Sequence, residues 1–223
     1  MVRFPSAARS PRHPVGSSPH HGRRLLRRLL AENLALMREL DELRALRRLA
    51  HEDALTGLPN RRLLQRRLSE ELSRAEPEVS LRGVLLVVEV NDLKLVNDLH
   101  GHFAGDEALR EVARVLRRAL RPEDVCCRTG GDEFMILLPD ADGRGARQIM
   151  ARLRAAVIRA GARNNLPISI SVGSAAWPAD GRTAGSLIER ADGAMLAEKR
   201  RLRGRARRKP PAPGAVRKLS LVK

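Results

Sequence analysis

Two consecutive glycines, Gly130 and Gly131, separate two short apolar runs, and this arrangement constrains the fold more than any other part of the chain. Apolar runs joined through Gly-Gly are typical of a β-hairpin, because glycine tolerates the positive φ of tight primed turns. Asp132 and Glu133 follow the glycines directly. Backbone without side-chain bulk would let a triphosphate and its Mg²⁺ approach these two carboxylates closely. An ordinary acidic turn explains the same residues equally well, so the assignment depends on the rest of the chain.

The length and the distribution of charge limit the class of protein. The 223 residues suffice for one domain with a core and flanking segments. The net charge of +17 lies at the two ends, because residues 1–50 hold 11 Lys and Arg against 4 Asp and Glu, and residues 200–223 hold 10 against none. Residues 51–199 hold 22 of each sign. This neutral centre, with no Tyr, one Trp and three Phe, argues against a specific nucleic-acid binder, which would stack bases on aromatic side chains.

The composition predicts four segments. Residues 1–22 lack apolar periodicity and are interpreted as a disordered basic N-terminus, and residues 204–223 as a disordered basic tail. Residues 23–51 form a coiled-coil helix, and residues 52–203 the folded domain. No apolar run is long enough to span a membrane, no signal peptide is visible, and two adjacent cysteines cannot form a disulfide framework. We therefore expect a cytoplasmic protein.

A heptad repeat runs through residues 23–51. Position a is occupied by Leu26, Asn33, Leu40 and Arg47, and position d by Leu29, Leu36, Leu43 and Ala50. Such a seam is typical of a left-handed coiled coil, in which Asn33 at position a favours a single register and two strands. We expect a homodimer through this helix. The alternative is an amphipathic helix that packs on its own domain.

The centre of the chain alternates between helical and strand patterns. Apolar spacing predicts helices over residues 60–73, 106–120, 144–160 and 183–200, and strands over residues 84–90 and 168–174, on either side of the hairpin. The predicted fold is an α/β sandwich, a mixed central sheet covered by helices. Glu89 interrupts the apolar run of the first strand, and a buried carboxylate needs a partner or a function.

Four further motifs accompany the hairpin in order along the chain: DALTGLPNRR at 53–62, NDLHGHFAGD at 97–106, SISVG at 169–173 and ADGAM at 191–195. Together with RTGGDEF at 128–134 they resemble the GGDEF family of diguanylate cyclases over residues 53–199. The resemblance implies a palm-like fold of the nucleotidyl-cyclase type. It also implies an enzyme that condenses two GTP into cyclic di-GMP and two pyrophosphates with Mg²⁺, or Mn²⁺ as the alternative, in a dimer whose two half-sites each present one nucleotide.

The resemblance assigns a metal site and the catalytic residues. The metal would lie between Glu89 and Asp132, with the Val90 carbonyl as a backbone ligand and Glu133 as a second metal-facing carboxylate. Asp132 would also help to deprotonate the attacking hydroxyl. Asp132 and Glu133 are therefore the catalytic candidates.

The resemblance also assigns the residues that bind the nucleotide. Asn97 and Asp106 correspond to guanine-binding residues, since a carboxylate accepts from guanine N1–H and the exocyclic amine, while an amide meets the O6 and N7 edge. Lys94 and Lys199 correspond to lysines that contact triphosphate oxygens as point charges.

Arg121-Pro122-Glu123-Asp124 matches the inhibitory Arg-x-x-Asp site of the family, and five residues separate it from Gly130. Arg121 supplies a fork for a guanine edge or a phosphate, and Asp124 accepts from guanine N1 and N2. We expect product binding and product inhibition here. An exposed salt-bridged turn is the alternative.

Three departures from the family pattern affect the inference to activity. The metal position on the first strand, usually Asp, is Glu89, and the Asp two positions later is Asn91. Leu93 replaces an aromatic residue. The usual ending of the last helix is Ala-Lys followed by Gly-Arg-Asn, whereas Glu198-Lys199 precedes two extra residues and no Asn follows. The alternative function is therefore a catalytically degenerate module that senses cyclic di-GMP through the Arg-x-x-Asp site, or GTP through the guanine-binding pair.

Overall fold

The structure is a computed structural model that describes residues 19–74 and 82–208. In chain order its elements are α1 (Pro19–His51), α2 (Arg61–Arg74), β1 (Gly83–Asn91), α3 (Leu93–His100), α4 (His102–Ala119), β2 (Val125–Gly130), β3 (Glu133–Pro139), α5 (Gly143–Arg163), β4 (Ser169–Trp177) and α6 (Ala184–Arg208). None of the helices within these two ranges is long and apolar enough to cross a membrane. The chain divides into two compact units at Arg47 and Arg48.

The four strands form one sheet in the order β2-β3-β1-β4, and each neighbouring pair is antiparallel. A single parallel bridge, between Asn60 and Arg128, joins the segment before α2 to β2. The expected hairpin is confirmed as β2 and β3. The predicted fold class, a palm-like sheet covered by helices, is also confirmed.

Strand β1 lies inside the sheet and is covered by helices on both faces. The side chains from Val84 to Val88 are at most 2% exposed. Alternate residues of β1, such as Leu86 and Val88, pack with α4 and α5, while Leu85 and Val87 pack with α2 and α6. Burial on both faces explains why this strand is a continuous apolar run. Alternating polar residues would be buried against one layer of helices.

Helix α1 begins at Pro19 and ends at His51, so it starts four residues before the predicted position 23. Its seam leucines, at positions 26, 29, 36, 40 and 43, are between 48% and 58% exposed. An apolar stripe of this length is what a coiled coil would cover. The dimer stays a prediction.

The observed elements differ from the predicted ones at several places. Helix α3 was not predicted, because it is only eight residues long and follows β1 after one residue, Asp92, without a Gly or Pro that would separate it from the strand. Helix α4 starts at His102 rather than at 106. Helix α6 continues to Arg208, beyond the predicted start of the tail at 204, because Arg and Ala favour helix. The predicted disorder of residues 1–18 and 209–223 falls outside the described residues.

We expect Gly173→Ala to destabilise the domain by about 1–3 kcal/mol, because a Cβ there would collide with the α6 backbone at the Ala191 carbonyl and the Met195 amide. Gly193→Ala is the matched control, because a Cβ at Gly193 in α6 would meet open space. This substitution should not destabilise the domain, since alanine is less flexible than glycine in a helix. Urea unfolding of the two variants measures the difference. Equal midpoints would contradict this close approach of α6 to β4.

Candidate active site

The hairpin turn consists of Gly131 and Asp132, between the last residue of β2 and the first residue of β3. The expected reason for the glycines is wrong, since neither Gly130 nor Gly131 has a positive φ. Instead, the register of β2 against β3 shifts between Arg128 and Gly130, so β2 is irregular just before the turn. A Cβ on Gly131 would meet nothing within 4 Å. The glycines therefore leave open space over the turn, as the argument from side-chain bulk requires.

Arg128 fixes this turn to the rest of the domain. Its Nη2 and Nε donate to the Gly131 carbonyl at 2.7 and 3.2 Å, and its Nη1 donates to both carboxylate oxygens of Asp53 at 3.0 and 3.1 Å. Burial raises the pKa of the Asp53 carboxyl, but hydrogen bonds from Thr56 and Arg128 outweigh burial and lower the pKa below its usual value. Asp53 therefore stays ionised and forms an ion pair with Arg128, which in turn anchors the turn through the Gly131 carbonyl.

Glu89 lies at the end of β1 nearest the turn, and its partner across the sheet is Glu133 of β3. Residues that face each other in an antiparallel pair have neighbouring side chains. The Glu89 carboxylate forms an ion pair with the ammonium of Lys199 on α6, and the two side chains are 13% and 18% exposed. This partner explains how a carboxylate is tolerated in an otherwise apolar strand.

Asn91, two residues after Glu89, forms hydrogen bonds with two hydroxyl groups of β4. Its Nδ2 donates to Ser169 Oγ at 3.0 Å, and its Oδ1 accepts from Ser171 Oγ at 2.8 Å. The amide therefore ties β1 to β4. At this position, where the family has Asp, the chain supplies a structural link rather than a free carboxylate.

A cavity of about 330 Å³ opens beside the turn and the end of β1. It brings together five of the predicted site residues, Glu89, Val90, Lys94, Asp132 and Lys199. The backbone closes one side, because the Val90 amide donates to the Asp132 carbonyl at 2.9 Å. Glu133 is exposed and does not line this cavity, although it stands opposite Glu89. The sequence therefore predicted most of the acidic and basic lining.

The oxygen donors of this cavity fit a hard divalent cation. Glu89 and Asp132 offer carboxylates. The Glu89 carboxylate already pairs with one cation, the Lys199 ammonium. Within residues 19–74 and 82–208 no group of three or more His, Cys, Asp or Glu is arranged to hold a metal ion. Mg²⁺ is commonly bound through one or two carboxylates, with waters and substrate phosphates completing its shell. The residues present thus fit Mg²⁺ held jointly with a phosphate ligand.

Asn97 and Asp106, the predicted guanine-binding pair, lie on consecutive helices, Asn97 on α3 and Asp106 on α4, and neither lines the cavity beside the turn. A Cβ on Gly105, the residue before Asp106, would collide with Asn97 Oδ1. That oxygen is buried and has no hydrogen-bond partner among the described residues. An orphaned buried amide acceptor is uncommon, and a ligand with hydrogen-bonding edges would satisfy it. Gly105 thus leaves room for Asn97 to reach this position.

Arg203 is a lining residue that the sequence analysis missed. It lies on α6 one turn after Lys199, and its exposed side chain lines the same cavity. The spacing of four residues on a helix was the available signal, because i and i+4 share a face. Asp92 and Asp98 also line the cavity and were likewise not predicted.

Arg121 and Asp124 lie in the turn between α4 and β2, at a second cavity of about 530 Å³ that Arg67 and Arg117 also line. Asp124 Oδ2 accepts the Arg121 backbone amide at 2.9 Å, while the Arg121 side chain is 71% exposed. Burial raises the pKa of the Asp124 carboxyl, and the hydrogen bond from the Arg121 amide opposes that rise. The Arg121 guanidinium forms a long ion pair with Glu123, at 3.9 Å, and its exposure leaves it accessible to an incoming group.

Comparison with known proteins identifies relatives of this domain. Residues 50–205 match the family described as "Diguanylate cyclase, GGDEF domain". The chain is 38% identical over 161 residues to diguanylate cyclase DgcP of Pseudomonas aeruginosa, which covers 71% of this chain and 24% of the relative. It is 37% identical over 171 residues to diguanylate cyclase TpbB of the same species, which covers 75% of this chain and 39% of the relative.

Solved structures agree with this grouping. Diguanylate cyclase SiaD in complex with its activator SiaC, from Pseudomonas aeruginosa, superposes with a TM-score of 0.64 at 36% identity, covering 82% of this chain and 70% of that one. The coiled coil and GGDEF domain of DgcB from Caulobacter crescentus, in complex with c-di-GMP, gives a TM-score of 0.66 at 29% identity. The match covers 79% of this chain and 94% of that one. The chain spans only about a quarter to two-fifths of the length of the two curated relatives.

Proposed function

Because this chain belongs to the GGDEF family of diguanylate cyclases, we propose that it condenses two molecules of GTP into cyclic di-GMP and releases two pyrophosphates. The observation that carries this proposal is the convergence of Glu89, Asp132, Lys94 and Lys199 on one cavity beside the glycine turn. Phosphoryl transfer depends on positioning and on the stabilisation of charge, and this cavity offers acidic and basic groups for both.

The acidic residues serve the nucleophile and the cation. Glu89, Asp132 and the Val90 carbonyl would hold Mg²⁺, or Mn²⁺ as the alternative, with Glu133 at its outer side. The bound ion would neutralise phosphate charge and polarise the attacked phosphorus. Asp132 accepts the proton of the 3′-hydroxyl that attacks the α-phosphate of the second GTP, and the bond from that phosphorus to the pyrophosphate oxygen breaks.

The basic residues and the guanine-binding pair position the nucleotide. If Glu89 held such an ion, the Lys199 ammonium would be free to leave this carboxylate and to bind phosphate oxygens together with Lys94. Arg203 adds a guanidinium one helical turn away, at the rim of the same cavity. Asn97 and Asp106 bind the guanine: the Asn97 Nδ2 group donates to the O6 and N7 edge, and the Asp106 carboxylate accepts from N1–H and the exocyclic amine.

We expect Asp132→Asn to lower cyclic di-GMP synthesis by about 100-fold or more, because the amide neither accepts the proton nor binds the cation as a carboxylate does. Glu89→Ala should also abolish synthesis, whereas Glu89→Asp, which restores the residue of the family pattern, should preserve it. Asp140→Asn, at the opposite end of β3, is the control. Initial rates from nucleotide chromatography, with circular dichroism for folding, measure the effects. A fully active Glu89→Ala variant would remove the metal role of this residue.

The reaction requires two half-sites that face each other, and α1 supplies a means of pairing them. A homodimer through the a/d seam would raise the effective concentration of one half-site near the other without any new contact in the cavity. The exposed leucines of the seam support this pairing.

We expect the double variant Leu36→Glu and Leu43→Glu to be monomeric and to lose most of its specific activity at low protein concentration, since charges at d positions oppose packing. The matched control is Leu34→Glu with Leu49→Glu, which changes two exposed leucines outside the seam. Sedimentation velocity and initial rates of the full-length variants decide the matter. Dimerisation that survives the seam substitutions would overturn the role of α1.

The second cavity is proposed as a site of product inhibition. Cyclic di-GMP would bind Arg121 through its fork of donors and Asp124 through guanine N–H groups. Binding there would restrain the approach of two half-sites without entering the catalytic cavity.

We expect Arg121→Ala to bind cyclic di-GMP about tenfold to a hundredfold more weakly, since a hydrogen bond to a charged group contributes about 1.5–3 kcal/mol. Its GTP turnover in the absence of product should equal that of the parent. Arg118→Ala, an exposed arginine on α4 that does not line the cavity, is the control. Isothermal titration measures the affinity of the parent and of Arg121→Ala for cyclic di-GMP. Equal affinities would mean that Arg121-x-x-Asp124 is only a surface turn.

A sensing module remains the alternative function. It is favoured by Asn91, whose amide is consumed by Ser169 and Ser171 and supplies no charge to the cavity. A sensor would bind GTP or cyclic di-GMP without forming product, so turnover separates the two functions. The cytoplasmic location expected from the sequence stays a prediction.

A further inference from the structure

Strand β4 is at the edge of the described sheet, and two charged side chains cover its outer backbone groups at Val172. The Val172 amide donates to Glu198 Oε2 at 2.7 Å, and the Val172 carbonyl accepts from Arg154 Nη2 at 3.1 Å. Arg154 Nη2 and Nε also donate to Glu198 Oε2, at 2.7 and 3.2 Å. The pair takes the place of a neighbouring strand, which an exposed sheet edge otherwise lacks.

This pair also anchors the part of α6 that faces the active site. In the described part of α6, Met195 is the last residue buried in the core. Lys199 lies one turn later, and Glu198, whose side chain is 12% exposed, is fastened to β4 beside it. Without that fastening, the Lys199 ammonium would be held mainly by its ion pair with Glu89, because none of residues 196–204 is buried. Segments with few buried contacts open locally more readily.

Glu198 departs from the family pattern, which has Ala before the lysine. The same region lacks the usual Gly-Arg-Asn ending and continues as a helix to Arg208. We propose that Glu198, held by Arg154, is a positioning residue for Lys199: it clamps the segment of α6 around Lys199 to the edge of β4 and so sets the affinity of the cavity for the triphosphate. This inference rests on the proposed function of the cavity.

A double-mutant cycle on the full-length protein tests the proposal. Glu198→Ala should raise the KM for GTP about tenfold and leave kcat nearly unchanged, because the lost interaction acts on nucleotide binding. In the Lys199→Ala background the same substitution should leave KM unchanged. An equal effect of Glu198→Ala in both backgrounds would overturn the proposal. Glu198→Gln should be intermediate, since its carbonyl still accepts the Val172 amide but its charge for Arg154 is lost.

A readout independent of turnover separates this inference from the proposed function. Amide hydrogen exchange of residues 196–203, followed by mass spectrometry, should be faster in Glu198→Ala than in the parent. It should be unchanged in Glu189→Ala, an exposed glutamate on the same helix. If the parent binds GTP but forms no cyclic di-GMP, the function fails, and exchange together with GTP affinity still decides the role of Glu198. Unchanged exchange in Glu198→Ala would overturn the clamp.

Discussion

The burial of β1 on both faces is the constraint on which the rest of the domain depends. Its side chains from Val84 to Val88 are at most 2% exposed, and burial of each large apolar side chain stabilises the fold by about 1.5–3 kcal/mol. A strand covered on both sides cannot shift by one residue without exchanging its two packing faces, so its register is fixed. That register delivers Glu89 to the end of the sheet, opposite Glu133 of the hairpin.

The active-site cavity is held by polar contacts rather than by this core. Arg128 joins the glycine turn to Asp53, Asn91 joins β1 to β4, and Glu198 joins α6 to the edge of β4. Arg128 and Asn91 make their contacts near the ends of strands, whereas Glu198 meets the interior of β4. The arrangement places acids and bases around one water-accessible cavity. A charged ligand in this cavity could replace one partner of an ion pair such as that of Lys199 with Glu89.

The sequence predicted the parts of this architecture that have local signals. The apolar run of β1, the hairpin and the stripes of α2, α4, α5 and α6 follow from periodicity, and the motifs placed the acids and lysines. Helix α3 escaped detection because eight residues give too short a period. The partner of Glu89 was also beyond local patterns, since Lys199 is 110 residues away in the chain. The backbone of Gly130 and Gly131 was mispredicted because a bulge, which the sequence does not signal, replaces a left-handed turn.

The central claim is that the cavity at the end of β1 joins two nucleotides rather than merely binding one. The most direct measurement is the incubation of the purified full-length chain with GTP and Mg²⁺, with quantification of cyclic di-GMP and pyrophosphate over time. The account predicts two pyrophosphates for each cyclic di-GMP, and neither product when the metal is chelated. A folded protein that binds GTP yet forms no cyclic di-GMP with Mg²⁺ or Mn²⁺ would contradict it.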